Sequence, residues 1–414
     1  MSNHATRILV HWGTSDEVED ISRYVAGGYH PVKLGDILKS NTVHYRILHK
    51  LGRGSFATVW LARTLGDTYS SPDRLVALKI CVADTNADHE IEVHSRLPPT
   101  EGQHVLPILH KFSLHGPNGT HVIIVYDVLG SITDTPDLIR KQARQICRQI
   151  VQGVAFLHNH GVTHGDIHTG NIGIRLPTLE KHSEDDILNY FGPPEISPIL
   201  TRQPLPQADA LPPYLTPSIP LACYFKERDA LFAESSLQVE IIDLGSAQTV
   251  DEFPCLSCTP AAVCAPEIMF KRVALKTNGL ATFASDIWSL ACTLYEIVFG
   301  TRTFYSAFPN DSLLVDMARL CGEIPLEWST YWESIPQLKC LNGTISQTTA
   351  DVNWKSQLDY FERNQATGDN LAQFIELLRD MLKMDPVTRP SAVEVLRHPW
   401  FSAEDGSLRK DMAS

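Results

Sequence analysis

The period of the hydrophobic pattern changes once along this chain, and that change limits the possible folds more than any other feature. From Val43 to Ile80 the residues read as strands: VHYRILHKLG alternates, while SFATVWLAR and LVALKICV are β-branched and apolar, with turn residues between them. HVIIVYDVLG at 121–130 reads as a further buried strand. Beyond it the period becomes helical. In IRKQARQICRQIVQGVAFLHNHG, Ile139, Ala143, Ile146, Ile150, Val154 and Leu157 recur three or four residues apart, and Gly161 ends the run. FASDIWSLACTLYEIVFG and NLAQFIELLRDMLKM continue in that manner. Strands first and helices after predict an α+β fold of two lobes, a smaller one over 43–130 and a larger, mostly helical one over 131–402.

Three segments stand outside this pattern. Residues 1–42 read as a polar arm broken by Gly27, Gly28 and Pro31, and 403–414 as a tail. Residues 176–237 are proline-rich with little periodicity, which predicts a mobile spacer inserted in the larger lobe. No long apolar run occurs, so neither secretion nor a membrane span is expected. Nine scattered cysteines suit reduced thiols in the cytosol or nucleus. Cys255 and Cys258 form one C-x-x-C without the second pair that a zinc site wants. Asn118-Gly-Thr and Asn342-Gly-Thr fit the glycosylation pattern and are read as chance matches. The formal net charge of −13 argues against nucleic-acid binding. It fits either attraction to a basic partner or a merely solvated acidic surface.

The chemistry-bearing residues come in a fixed order. Leu51, Gly52, Arg53, Gly54, Ser55, Phe56, Ala57, Thr58 and Val59 form a glycine-rich turn between two strands, where missing Cβ atoms let the backbone approach phosphate oxygens. Lys79 lies inside the apolar VALK strand, a costly place for a cation without a partner. Its natural partner is Glu90, which shares a helix face with Val93 and Leu97. Glu92 is the weaker candidate, with Ser95 and Arg96 as its neighbours. HGDIHTGN at 164–171 then offers Asp166, His168 and Asn171, and Asp243 follows the strand-like VEII. Acceptor oxygens of this kind suit a hard divalent cation and a hydroxyl proton.

Glycine-rich turn, VALK, H-G-D-x-x-x-x-N, Asp243-Leu-Gly and Ala265-Pro-Glu267 together resemble the signature set of protein kinases. The resemblance implies a bilobal protein-kinase fold, whose small lobe carries an antiparallel sheet and one main helix. It implies ATP and Mg2+ as cofactors, with Asp166 as catalytic base and Asn171 and Asp243 as metal ligands. Lys79, fixed by Glu90, would hold the α- and β-phosphates. Adenine would lie against Val59 and Ala77, with Tyr126 behind it and the backbone of Asp127, Val128 and Leu129 bonding its edge. Glu267 and Arg389 would form a bracing ion pair, and His164 would be structural.

Within the kinases, GGYHPVKLGD at 27–36, YDVLG at 126–130, the D-L-G triplet and the position of the insert resemble the serine/arginine-rich protein-specific kinases of the CMGC group, in a divergent fungal-type form. That implies a monomeric serine/threonine kinase acting on basic Arg/Ser-rich proteins such as splicing factors. It also implies a part in mRNA processing and residence in cytoplasm and nucleus. Four departures bear on activity. Ala57 stands for the third glycine of the turn. Gly165 stands where many kinases place a phosphate-binding arginine, so activity is expected without an activation-loop phosphate. His168 stands where a lysine neutralises γ-phosphate charge. Thr259 stands eight residues before Glu267, one further than usual, which weakens its expected contact with the catalytic aspartate. Two other functions compete: a weakly active scaffold, and a small-molecule phosphotransferase of the aminoglycoside or choline type, which shares H-G-D-x-H-x-x-N.

Overall fold

Alternation of side chains explains the first unit of the fold. In the computed structural model, which describes residues 9–11, 18–66, 73–201, 208–249, 259–277, 279–305, 310–334, 345–363 and 370–402, six strands form one antiparallel sheet. They are β1 (Ile37–Lys39), β2 (His44–Arg53), β3 (Ala57–Leu65), β4 (Leu75–Cys81), β5 (His110–Gly116) and β6 (Gly119–Tyr126). Their order is β1-β2-β3-β4-β6-β5. Val59 pairs with Lys79 and Lys79 with Ile124, while Ala77 pairs with Tyr126. Period two therefore sets Val59, Ala77, Lys79 and Tyr126 on one face of the sheet. Trp60, Ala62, Val76, Leu78, Ile80, Ile123 and Val125 share a core on the other. Cys255, Cys258, Asn342 and the tail lie outside the described residues.

Two expectations about this unit are corrected. The segment before Val43 is not a polar arm leading to the sheet: Val32 and Leu38 belong to the sheet's core, and Val18, Tyr24 and Tyr29 are buried in a second cluster with Val82 and Leu215. Lys50, fully buried, lies 2.5 Å from the Glu19 carboxylate and 4.9 Å from the Trp60 ring. Tyr24 donates to the other Glu19 oxygen at 2.5 Å. Hydrophobic periodicity over the arm misses this, because its anchors are scattered apolar residues, tyrosines and one ion pair. Asn118 is buried and bonds the backbone carbonyls of Tyr29 and Ala210, which agrees with a chance glycosylation match.

Nor is the proline-rich insert a mobile spacer over its described residues. Helices Glu184–Phe191 and Leu221–Arg228 form within it, and Ile187, Ala222, Phe225 and Phe232 are withdrawn from water. Glu184 binds Arg46 of β2 at 3.0 Å and Arg63 of β3 at 2.7 Å. The Tyr214 hydroxyl accepts from the Leu34 N–H, and the Ile219 N–H donates to the Lys50 carbonyl. Strand Ser197–Thr201 pairs with Leu9–His11. Prolines break periodicity without preventing burial, so the composition misled.

The second unit comprises residues 102–105, 135–173 and 237–414. Helix Ala143–Asn159 buries Ile146, Ile150, Val154 and Leu157, and Gly161 beyond it adopts φ +74, the left-handed conformation of a helix stop. Helix Phe283–Phe299 is buried nearly all round, begins at a capping box of Thr282 with Ser285 and ends at Gly300, φ +70. Arg389, its side chain wholly buried, is bidentate to Glu267 at 2.7 and 2.9 Å, as the sequence suggested. Among the described residues no helix is long and apolar enough to cross a membrane.

Candidate active site

In the first unit the sheet and helix Ala87–Arg96 bring Lys79, Glu90 and Tyr126 together. Lys79 Nζ stands 2.6 Å from Glu90 Oε2, and the Tyr126 hydroxyl donates to Glu90 Oε1 at 2.8 Å. Glu90 is buried, as are Val93 and Leu97 on its helix face, and Glu92 is exposed. Both Glu90 oxygens are engaged, so the carboxylate holds the ammonium in place at an otherwise apolar position. At the glycine-rich turn, a Cβ on Gly52 would meet Val59 at 3.8 Å and one on Gly54 would come no closer than 4.0 Å to anything. Internal packing demands neither glycine. Gly54 is exposed and Gly52 half-buried.

Leu51 and Leu129 border a cavity of about 260 Å³, and Asp134 lines it as well. Ser218, Ile219, Pro220 and Leu221 complete its wall. Sequence reasoning named Leu51 and Leu129 but missed the other wall, since nothing in the proline-rich stretch marks it. Burial pushes the Asp134 carboxyl up, against the lowering effect of the Ala222 and Ser131 backbone N–H groups. At 127–129, the Asp127 carboxylate lies 3.6 Å from Arg74 and 3.5 Å from Arg175.

In the second unit Asp286 organises the HGDIHTGN loop. Its Oδ2 accepts from the His164 N–H at 2.7 Å, and Oδ1 from the Gly165 N–H at 2.9 Å. His164 Nδ1 accepts the Asp166 N–H, leaving the ring proton on Nε2 to bond the Ile242 carbonyl at 3.1 Å. His164 is therefore structural. Gly165 has φ +77, and a Cβ there would sit 2.7 Å from the Ser246 carbonyl oxygen. The glycine is thus dictated by this loop's own backbone.

Asn171 Nδ2 donates to the Asp166 carbonyl at 2.9 Å and reaches its Oδ2 at 3.3 Å. Asp166 Oδ1 is buried and accepts nothing among the described residues. The Asp166 side chain as a whole is still 20% exposed, which suits a carboxylate that orients a hydroxyl and takes its proton. His168 Nδ1 accepts the Gly170 N–H at 3.0 Å, so the ring proton is on Nε2, 3.6 Å from Asp166 Oδ2. That separation is too long for a hydrogen bond and leaves the N–H available.

The Ile242 N–H bonds the Asn171 carbonyl, which ties the Asp243 segment to the loop. Asp243 itself has φ +64, a strained backbone for an aspartate and costing about 1–3 kcal/mol. Its Oδ1 accepts from the Gly245 N–H at 3.2 Å. Thr259 does reach the loop despite its shifted position, donating to the Gly165 carbonyl at 2.6 Å. No group of three or more His, Cys, Asp or Glu side chains could hold a metal among the described residues. Asn171 and Asp243 offer oxygen ligands of the kind that share a divalent ion with substrate phosphates, so the residues present fit such an ion.

These are the working parts of a phosphotransferase of the protein-kinase class. The protein kinase domain family matches residues 45–178 and 225–401, and the chain belongs to it; the gap in the match falls within the insert. More particularly, this is a serine/threonine protein kinase, and it is similar to kinases of the SRPK kind. It is 27% identical over 427 residues to serine/threonine-protein kinase SRPK of Physarum polycephalum, spanning 93% of this chain and 92% of that one. To a serine/threonine protein kinase of Aspergillus fumigatus it is 25% identical over 413 residues, spanning 94% and 91%. To serine/threonine-protein kinase spk-1 of Caenorhabditis elegans it is 35% identical over 185 residues, 40% of this chain and 17% of that protein. The fold matches the crystal structure of a kinase domain with a TM-score of 0.54 at 15% identity, covering 90% of this chain and 98% of that one.

Proposed function

We propose that this kinase transfers the γ-phosphoryl group of ATP to serines in basic, Arg/Ser-rich proteins, with Mg2+ as its divalent ion. The observation that carries the catalytic reading is Asp166, fixed by Asn171 with its side chain partly exposed. ATP supplies the electrophilic phosphoryl group, and the metal offsets its charge. Asp166 orients the substrate hydroxyl and accepts its proton. Asn171 and Asp243 would hold the metal, and Lys79, locked by Glu90 and Tyr126, would bind phosphate oxygens. His168 offers its Nε2 N–H as a hydrogen-bond donor where a lysine would offer full charge. Splicing factors are the substrates proposed, in cytoplasm and nucleus. Similarity to SRPK and the net charge of −13 support that reading, since an acidic protein attracts a basic substrate.

The test is phosphorylation of an Arg-Ser repeat peptide against an acidic casein-like peptide, with ATP, Mg2+ and an Asp166→Ala control. The expected result is strong preference for the basic peptide, weakening as salt is added. Equal rates on both peptides would remove the substrate assignment and leave the kinase assignment standing.

A further inference from the structure

Four consecutive carbonyls of the glycine-rich turn are hydrogen-bonded, and two of their donors come from far upstream. The Tyr29 hydroxyl donates to the Gly54 carbonyl at 2.7 Å. The Arg23 guanidinium donates to the Ser55 carbonyl, reaches the Tyr29 hydroxyl at 3.3 Å and lies over the Tyr29 ring. The Val82 N–H takes the Phe56 carbonyl, and the Gly54 N–H takes that of Ala57. A turn tied at each of these positions has little freedom to collapse.

The two upstream donors are themselves well anchored. The Gly27 N–H bonds the Asn118 carbonyl, and the carbonyls of Gly27 and Gly28 accept from the Asp84 and Ala83 N–H groups. Asn118 bonds the Tyr29 carbonyl at 2.7 Å. Packing here tolerates nothing larger than glycine: a Cβ on Gly27, at φ +84, would lie 1.8 Å from the Asp84 carboxylate, and one on Gly28 would lie 1.7 Å from the Arg23 carbonyl oxygen. Ahead of this the Glu19–Lys50 pair fixes the arm to the strand that enters the turn.

Peptide geometry says what this does. In a trans peptide the carbonyl of one residue and the N–H of the next point in opposite directions. Holding the Gly54 and Ser55 carbonyls toward the arm therefore aims the N–H groups of Ser55 and Phe56 away from it. We propose that residues 19–31 are a brace that presets the glycine-rich turn for a triphosphate, with Tyr29 and Arg23 as positioning residues acting through the Gly54 and Ser55 carbonyls. The inference rests on the ATP-dependent kinase reading above and adds to it a reason for the upstream GGY segment. Donor N–H groups set in place before binding do not have to be ordered by the ligand.

Two changes test it: Tyr29→Phe, which removes only the hydroxyl, and Arg23→Leu with Arg23→Lys as the conservative rescue. Binding of ATP and of adenosine is measured for each, with KM for ATP and kcat on the Arg-Ser peptide. The expected result is ATP binding weaker by about three- to tenfold in Tyr29→Phe and Arg23→Leu, the effect of one lost hydrogen bond. Adenosine binding, peptide KM and melting temperature should hardly move, and Arg23→Lys should recover most of the loss. Amide exchange at residues 54–57 should quicken in the two weakened variants. Unchanged ATP affinity, or equal weakening of ATP and adenosine, would overturn the brace. A wild-type protein that binds no ATP would sink both the brace and the kinase mechanism, whereas failure on the Arg-Ser peptide alone would touch only the substrate.

Discussion

Lys50 and Glu19 form an ion pair 2.5 Å long with both side chains shut off from water. Burial pushes the Lys50 ammonium pKa down, and the attraction of Glu19 opposes that. Removing the carboxylate alone strands a buried charge, at a cost of about 3–5 kcal/mol. Glu19→Gln should therefore lower the denaturant midpoint clearly. Glu19→Leu with Lys50→Met should regain most of it in the same urea titration. Wild-type stability in the single variant would mean that the arm is not part of the folded core.

Deleting the insert is a second test. Composition suggests that residues 178–236 can be removed without harm to catalysis; the buried Phe225, Phe232 and Ile187 and the Glu184 bridges predict otherwise. The deleted protein should be insoluble, or should show a broadened melt with weakened nucleotide binding. A sharp melt and normal kcat would restore the spacer reading.

At the catalytic loop, Asp166→Ala should reduce phosphoryl transfer by about 10²–10⁴-fold while nucleotide binding survives. Single-turnover kinetics with a nucleotide-binding control separates the two. Residual turnover within a few-fold of wild type would reassign the base.

His168→Lys should keep or raise kcat, because lysine carries a full charge at neutral pH. The variant also loses the Nδ1 acceptor for the Gly170 N–H, a cap worth about 0.5–2 kcal/mol. A small drop in melting temperature alongside retained activity is expected. Complete loss of turnover in a folded protein would show that the site depends on the imidazole itself.

Acid should destabilise the first unit as pH falls below about 6.5. His30, by burial and then by the nearby His121, and His94, by burial and then by Lys79, are each lowered to about 4. Unfolded histidines protonate near pH 6.5. The unfolded state therefore binds more protons between these values, and stability falls as pH drops from about 6.5 toward 4. Melting temperature against pH should show that decline, and His30→Asn should flatten it. A flat profile for the wild type would contradict the buried neutral imidazoles.

Much of the site was legible in the sequence because its parts are local and periodic. Lys79 declares its need for a partner by sitting in an apolar strand, and the helix period selects Glu90 over Glu92. The spacing of Asp166 and Asn171 is set by one turn of chain. Thr259 was less legible: one extra residue before Glu267 weakened its case, yet the loop still delivers its hydroxyl to Gly165. The arm and the insert escaped altogether. Their anchors are tyrosines, a buried ion pair and scattered apolar side chains, whose burial depends on partners dozens of residues away and leaves no period behind.

By itself, then, the sequence determined the class of fold, the order of the lobes and the pairing of Lys79 with Glu90 and of Asp166 with Asn171, since these follow from period, charge and short spacing. Tertiary structure alone decided that Gly165 is a backbone requirement, that Arg23 and Tyr29 bond carbonyls of the glycine-rich turn, and that the insert walls the Leu51–Leu129 cavity. Each of these is a contact between distant segments, fixed by packing and peptide geometry that no local pattern records.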